Sequence, residues 1–60
     1  MKFHLALKSG KWIGGLMTRK SKLPEAIEEI RDVAAMWKEP IVMTRVGKVK
    51  RGETILVEPR

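Results

Sequence analysis

The chain has 60 residues, of which 43% are hydrophobic and 33% charged, with no cysteine and a formal net charge of +6. A chain this short buries only about 60% of the surface that its unfolded form exposes, so one small domain with a thin core is expected, and disulfides and thiolate metal sites are excluded. Its apolar runs fall far short of the roughly 20 residues that a membrane-spanning helix needs, which predicts a soluble, cytoplasmic protein.

Positive and negative charges are sorted along the sequence. Residues 1–22 contain six cations and no acid, residues 23–39 contain two cations and five acids, and residues 40–60 contain five cations and two acids. The three blocks therefore carry net charges of +6, −3 and +3. This sorting predicts one basic and one acidic surface, and the basic surface would attract an anionic partner.

A β-hairpin is predicted at the start of the chain. Residues 2–8 alternate between apolar and polar side chains, as a strand with one buried face does. Ser9-Gly10 suits a two-residue turn, which would set Lys8 opposite Lys11. The expected cross-strand pairs on the core face of this hairpin are Phe3 with Leu16, Leu5 with Gly14, and Leu7 with Trp12.

Two adjacent glycines lie inside the second predicted strand. Glycine within a strand costs chain entropy and usually marks a bulge or the close approach of another group. The interpretation favoured by the sequence is packing, with a helix residue such as Trp37 pressing on Gly14 and a second copy of the chain approaching Gly15. The opposite reading, a phosphate-binding loop, lacks the accompanying glycine fingerprint.

An amphipathic helix is predicted over residues 23–38. Pro24 suits its first turn, and Pro40 prevents it from continuing. The acids fall largely outside its apolar stripe, as a helix with one buried face requires. The residues that form the stripe are Leu23, Ile27, Ile30, Ala34 and Trp37.

Two further strands are predicted at residues 41–49 and 53–58. A turn at Arg51-Gly52 would pair Arg45 with Glu58 and Lys50 with Glu53. A looser loop over residues 47–52 is the alternative, and both versions keep the same core face. The residues expected on that face are Val42, Val46, Ile55 and Val57.

This element order predicts an α+β fold, in which a four-stranded antiparallel sheet of order β-β-α-β-β carries one helix on one face. The other sheet face would keep too many apolar residues for a small monomer to leave in water. A homodimer or higher oligomer is therefore expected, formed through this face or through the sheet edges. The expected interface residues are Ala6, Ile13, Gly15, Met17, Met43 and Leu56.

Three basic segments are candidates for binding phosphate groups. One precedes the helix, where free backbone N–H groups also favour an anion, and the others lie at the two predicted hairpin turns. The alternative readings are solvated linkers and hairpin tips whose charges prevent aggregation. The candidate residues for binding an anion or nucleic acid are Lys8, Lys11, Arg19, Lys20, Lys22, Lys48, Lys50 and Arg51.

Trp12 is the candidate for stacking on a nucleic-acid base, with a core position as the alternative. Trp37 belongs to the helix stripe and is assigned to the core. The chain has only three aromatic residues, two Trp and one Phe, so a sheet platform that stacks several bases is not expected.

Catalysis finds little support in the sequence. His4 is the only histidine, and the serines Ser9 and Ser21 have no base within sequence reach, so no triad or metal cluster can be assembled in one copy. The prediction is a protein that is not an enzyme and that uses neither a metal ion nor a cofactor.

In architecture alone, the chain resembles the small hairpin-helix-hairpin accessory proteins of phages and mobile elements. The segments that carry the resemblance are the KFHLALKSGKW hairpin, the LPEAIEEIRDVAAMW helix and the GETILVEP strand. They make up 34 of the 60 residues and include no diagnostic set of residues. The resemblance implies inhibitors of host defence proteins, proteins that sequester nucleotide signals, or nucleic-acid binders.

The leading hypothesis is a non-enzymatic oligomer that binds an anionic ligand, with nucleic acid as the first candidate. One alternative is a counter-defence protein that sequesters a small nucleotide signal at its dimer interface. The other is an inhibitor that binds a host protein.

Overall fold

A computed structural model describes residues 1–47 and 53–60. The elements in chain order are β1 (Lys2–Leu7), β2 (Trp12–Met17), a 3-10 turn (Lys20–Lys22), α1 (Leu23–Trp37), β3 (Ile41–Val46) and β4 (Thr54–Val57). The strands form one antiparallel sheet in the order β2-β1-β3-β4, and α1 lies against one of its faces. The α+β fold predicted from the sequence is confirmed.

The core lies between α1 and the sheet. Phe3, Leu5 and Leu7 of β1 are buried because alternate residues of a strand point to the same side. They pack against Ile30 and Ala34 of the helix. The other residues of this buried cluster are Ile41, Met43 and Val57.

Helix α1 begins and ends close to its predicted bounds. Pro24 occupies the first turn, where its missing N–H has no partner within the helix to lose. Lys38 adopts left-handed backbone angles (φ 58°, ψ 31°), and its N–H bonds the carbonyls of Ala34 and Ala35. This C-cap ends the helix before Pro40 is reached. The predicted core position of Trp37, the last residue of the helix, is wrong, since 43% of it is exposed.

The turn of the first hairpin has three residues instead of the predicted two. The N–H of Leu7 bonds the Lys11 carbonyl and the N–H of Gly10 bonds the Leu7 carbonyl, each at 2.7 Å. Gly10 has a φ of +111°, as the last position of a three-residue hairpin loop requires. Lys8 therefore lies within the loop and does not face Lys11. Its N–H bonds the Pro40 carbonyl at 2.9 Å instead, so the predicted cross-strand pairing of the two lysines is wrong.

A β-bulge in β2 moves Trp12 to the face opposite to α1. Leu5 pairs with Gly14, whereas Ala6 pairs with Trp12, so Ile13 is the extra residue of the bulge. Ile13 consequently packs against the core, and Trp12 shares the face of Ala6 with 67% of its surface exposed. The predicted core pairing of Trp12 and the predicted interface position of Ile13 are both wrong.

Gly14 permits a backbone angle that the bulge requires. Gly14 has a φ of +155°, and a Cβ atom there would meet nothing within 4 Å. Trp37 therefore does not press on Gly14, and that part of the packing interpretation is wrong. A Cβ atom at Gly15 would lie 3.4 Å from the Phe3 carbonyl oxygen, an ordinary contact.

Strand β3 presents the opposite set of side chains to the helix from the predicted set. Met43 pairs with Leu5 and with Ile55, which places it on the helix side of the sheet. Ile41 lies on the same side, and both residues are 0% exposed. The prediction that Met43 lines an oligomer interface is therefore wrong, because α1 and the sheet bury it within one chain.

Val42 and Val46 accordingly lie on the face away from α1, and their predicted core positions are wrong. The N–H of Arg45 bonds the carbonyl of Glu53 at 2.9 Å, so the predicted pairing of Arg45 with Glu58 is wrong as well. The predicted pair of Lys50 with Glu53 involves a residue outside the described ranges.

Candidate nucleic-acid interface

The sheet face that α1 does not cover is called the open face. Strand pairing arranges its side chains in rows that run across the strands. The apolar row consists of Trp12, Ala6, Val42 and Leu56. The polar row consists of Gly15, His4, Thr44 and Thr54. A third row consists of Met17, Lys2 and Val46.

Large apolar side chains are accessible on this face. Trp12 is 67% exposed, Met17 is 78% exposed and Leu56 is 49% exposed. The strand residues in the three rows include the cation Lys2 and the imidazole of His4, and none of them carries a carboxylate. The open face is therefore an apolar and weakly basic surface.

The acidic surface lies on the other layer of the molecule. Helix α1 carries four exposed carboxylates and packs against the opposite side of the sheet. These residues are Glu25, Glu28, Glu29 and Asp32. An anion is thus repelled from the helix side and attracted to the sheet side.

Four exposed cations gather where β1 starts and β2 ends, and this cluster is called the basic end. Lys2 pairs with Met17, and the strand ladder continues through two bonds between Met1 and Thr18, of 2.7 and 2.9 Å. Residues 19–22 follow directly. The members of the basic end are Lys2, Arg19, Lys20 and Lys22.

Two further described residues lie at the same end of the sheet. Gly47 and Glu53, which flank residues 48–52, continue from the ends of β3 and β4 on this side. The predicted phosphate-binding residues Lys48, Lys50 and Arg51 lie outside the described residues.

The first hairpin loop places the remaining predicted cations at the far end of the sheet. Lys8 and Lys11 are both exposed there, about 20 Å from the basic end at the usual rise of a strand. The ammonium of Lys11 lies 4.8 Å from the centre of the Trp37 ring, a cation–π contact. The five described residues of the predicted anion-binding set are therefore divided between two ends and do not form one phosphate site.

Most cations of the basic end have little competition from protein carboxylates. Lys22 approaches Glu25 at 3.7 Å, with the two side chains 64% and 72% exposed, so this ion pair contributes little and can be exchanged for a phosphate. Nothing in the sequence placement of Lys2 had marked it as part of this cluster. The signal that could have found it is the antiparallel hairpin, which brings residue 2 beside residue 17.

The carboxylates of α1, in contrast, form ion pairs with two arginines, one within the helix and one at residue 60. Arg31 donates to Glu28 at 3.2 Å, and Arg60 donates to Glu28 at 2.9 Å and to Asp32 at 2.6 Å. The hydrogen bonds from Arg31 and Arg60 lower the pKa of Glu28, and those from Asp32 and Glu28 raise the pKa of Arg60. These two arginines therefore offset only part of the negative charge of the helix surface, and their ion pairs hold them away from the open face.

Four residues of the predicted oligomer interface do lie on the open face, namely Ala6, Gly15, Met17 and Leu56. Sequence reasoning missed Val42 and Val46 on this face, because it had assigned both to the core, and it had left Trp12 open between a core position and stacking on a base. Oligomerisation through these residues stays a prediction.

No protein family, curated protein or solved structure matches this chain. Across the described residues, no group of three His, Asp or Glu side chains is arranged to hold a metal ion. None of the described helices is long and apolar enough to cross a membrane.

Proposed function

We propose that this protein binds nucleic acid, without catalysing a reaction on it, through a cationic surface that begins at the basic end and continues onto the open face. The observation that carries the proposal is the separation of charge between the two layers. Exposed carboxylates cover α1, whereas the strand residues of the open face include none. Such a field orients a polyanion toward the sheet.

The exposed lysines and arginine of the basic end are suited to contact the phosphate groups of a nucleic acid. Lysine and arginine supply most of the non-specific affinity of proteins for nucleic acid by releasing condensed counterions. This binding does not depend on base sequence and weakens steeply as salt is added. The anion-binding role predicted for Arg19, Lys20 and Lys22 is retained in the proposal, and Lys2 joins them.

A homodimer, which the sequence predicts, is compatible with this function when it forms through a sheet edge. β2 and β4 are the edge strands, so a second copy can pair with either of them and leave the open face accessible.

The proposal predicts a salt dependence that follows charge position and not total charge. The double variant Lys20→Gln, Lys22→Gln removes two cations from the basic end. The matched control Arg31→Gln, Lys38→Gln removes two cations from α1 and its C-cap, so both variants have the same net charge. Binding of a labelled oligonucleotide is measured by fluorescence anisotropy between 50 and about 300 mM salt.

For the basic-end variant, the slope of log affinity against log salt should fall by about 1.4 on single strands, or about 1.8 on duplex DNA. The control should keep the slope of the wild-type protein. Equal losses in both variants would show that only net charge matters. Affinity that does not change with salt in the wild-type protein would contradict the proposed function itself.

A further inference from the structure

We infer that the open face receives the bases of a single-stranded nucleic acid, with Trp12 stacking on one base while the backbone runs toward the basic end. This inference rests on the proposed function and adds to it the form of the ligand and the position of the bases.

Trp12 is presented to solvent by the fold. The bulge at Ile13 rotates Trp12 out of the core, and 67% of its surface stays exposed. Its cross-strand neighbour is Ala6, whose methyl group is too short to cover an indole. The stacking of a base on an exposed aromatic side chain provides binding that tolerates any base. A large exposed ring, on a face whose described strand residues carry no carboxylate, is suited to stacking on a base.

The polar row supplies groups that reach the edges of bases. His4, Thr44 and Thr54 are hydrogen-bonding side chains, and Gly15 at the end of the row leaves space where a side chain would otherwise stand. This row lies two residues along the strands from the apolar row, or about 7 Å. One base on Trp12 therefore leaves the next nucleotide above the polar row.

Cations lie beyond the two rows that would contact the bases. Lys2 lies on the open face itself, in the row beyond His4, and the other cations of the basic end follow it. At the opposite end, the exposed Lys8 lies in the loop that leads to β2, whereas the Lys11 ammonium contacts the Trp37 ring on the helix side. Phosphates can thus be neutralised on both sides of the two rows that would contact the bases.

The open face cannot contact the bases of a duplex. Their faces are stacked on one another and their pairing edges are occupied, so a flat sheet face reaches them only when the strand is unpaired. The same ring faces are free in single-stranded DNA or RNA. The geometry therefore selects single strands, whereas the cations of the basic end alone would accept either form.

Tryptophan fluorescence tests the inference directly, because the chain has only two tryptophans. In Trp37→Phe the emission comes from Trp12 alone, and in the matched control Trp12→Phe it comes from Trp37 alone. Each protein is titrated with oligo(dT), with a duplex of equal length and with inorganic polyphosphate, which has the charge but no bases. Trp12 emission should be quenched by oligo(dT) at least about twofold more strongly than Trp37 emission, and polyphosphate should not quench it.

Affinity gives the second readout. Trp12→Ala should weaken binding of oligo(dT) by about 5- to 150-fold, which corresponds to the loss of one stacked base, and should leave binding of polyphosphate unchanged. Because Trp12 is exposed, the variant should keep the far-ultraviolet circular dichroism of the wild-type protein.

The outcomes separate the inference from the function on which it rests. Unchanged oligo(dT) affinity in Trp12→Ala, together with a loss in the basic-end double variant, would overturn the inference and keep the proposed function. Trp12 emission that is blue-shifted by a second copy and insensitive to oligo(dT) would also overturn it. No binding of any nucleic acid would overturn both.

Discussion

At Gly14, the backbone conformation and not side-chain packing limits which residue can be accommodated. Its φ of +155° lies in a region that residues with a side chain rarely adopt, while the space around a Cβ atom there is empty. Gly15 beside it has no such constraint. The sequence marks the pair, but the two glycines have different physical reasons, which spacing alone does not distinguish.

This difference predicts the effects of two alanine substitutions. Gly14→Ala should lower the free energy of unfolding by about 1–2 kcal/mol, since the new side chain strains the bulge backbone. Gly15→Ala should change it by less than about 1 kcal/mol, because its Cβ makes an ordinary contact and the unfolded chain loses entropy. Urea unfolding of both variants is the measurement. Equal losses would point to packing at both positions.

The Glu28 carboxylate gives the helix surface a defined pH dependence. Hydrogen bonds from Arg31 and Arg60 lower its pKa from the ordinary value of 4.5. A carboxyl whose pKa is lower in the folded state stabilises the fold above its unfolded pKa, and this contribution is lost as the pH falls through the lowered value. NMR titration of Glu28 should show its pKa rising in Arg31→Gln, rising in Arg60→Gln, and approaching 4.5 when both are replaced.

The matching stability measurement compares the wild-type protein with Arg60→Gln. Any advantage of the wild-type protein at neutral pH should shrink as the pH is lowered below 4.5, because the Glu28 carboxylate that accepts from Arg60 becomes protonated. An advantage that persists at acidic pH would show that Arg60 acts through packing instead.

At the scale of elements, the helix and the first strand could be predicted because their patterns allow one solution. The apolar residues of α1 recur at helical spacing between two prolines, and β1 alternates strictly. The pairs of Phe3 with Leu16 and of Leu5 with Gly14 also follow from the sequence. Beyond Gly14 the bulge shifts the register, and no pattern in β2 announces it.

Strand β3 could not be placed because its first residues are apolar on both sides. Ile41, Val42 and Met43 form a continuous run, which suits either face, and the outcome is decided by pairing with β1. A shift of one residue exchanges every side chain between the core and the open face. The same shift removed Met43 from the predicted oligomer interface.

Two substitutions in β3 test which of its side chains face the helix. Met43→Ala should lower the free energy of unfolding by about 2–5 kcal/mol, because it leaves a cavity beneath α1, and can unfold so small a domain. Val42→Ala, on the half-buried open face, should cost less than about 1 kcal/mol. Thermal unfolding followed by circular dichroism compares the two variants. A larger loss of stability in Val42→Ala than in Met43→Ala would support the core face of β3 that the sequence predicts.

The whole molecule separates its charges by layer, and this property could be foreseen only in part. The sequence sorts acids into the helix and cations into the flanking hairpins, which implies two surfaces. The antiparallel hairpin also implies that Lys8 and Lys11 lie at the opposite end from Arg19, Lys20 and Lys22, whereas the side chains that β3 adds to the open face follow only from its pairing with β1. The candidate site is therefore an extended face and not a single pocket of cations.

The most direct test of the account is to map the amide chemical shifts of the isotope-labelled protein as oligo(dT) is added. The account predicts that the largest shifts fall on the open face and the basic end, at Lys2, His4 and Thr44 and at the indole N–H of Trp12. Residues on the outer surface of α1, such as Glu29 and Asp32, should move little. Largest shifts on α1, or none on the open face while binding is saturated, would contradict it.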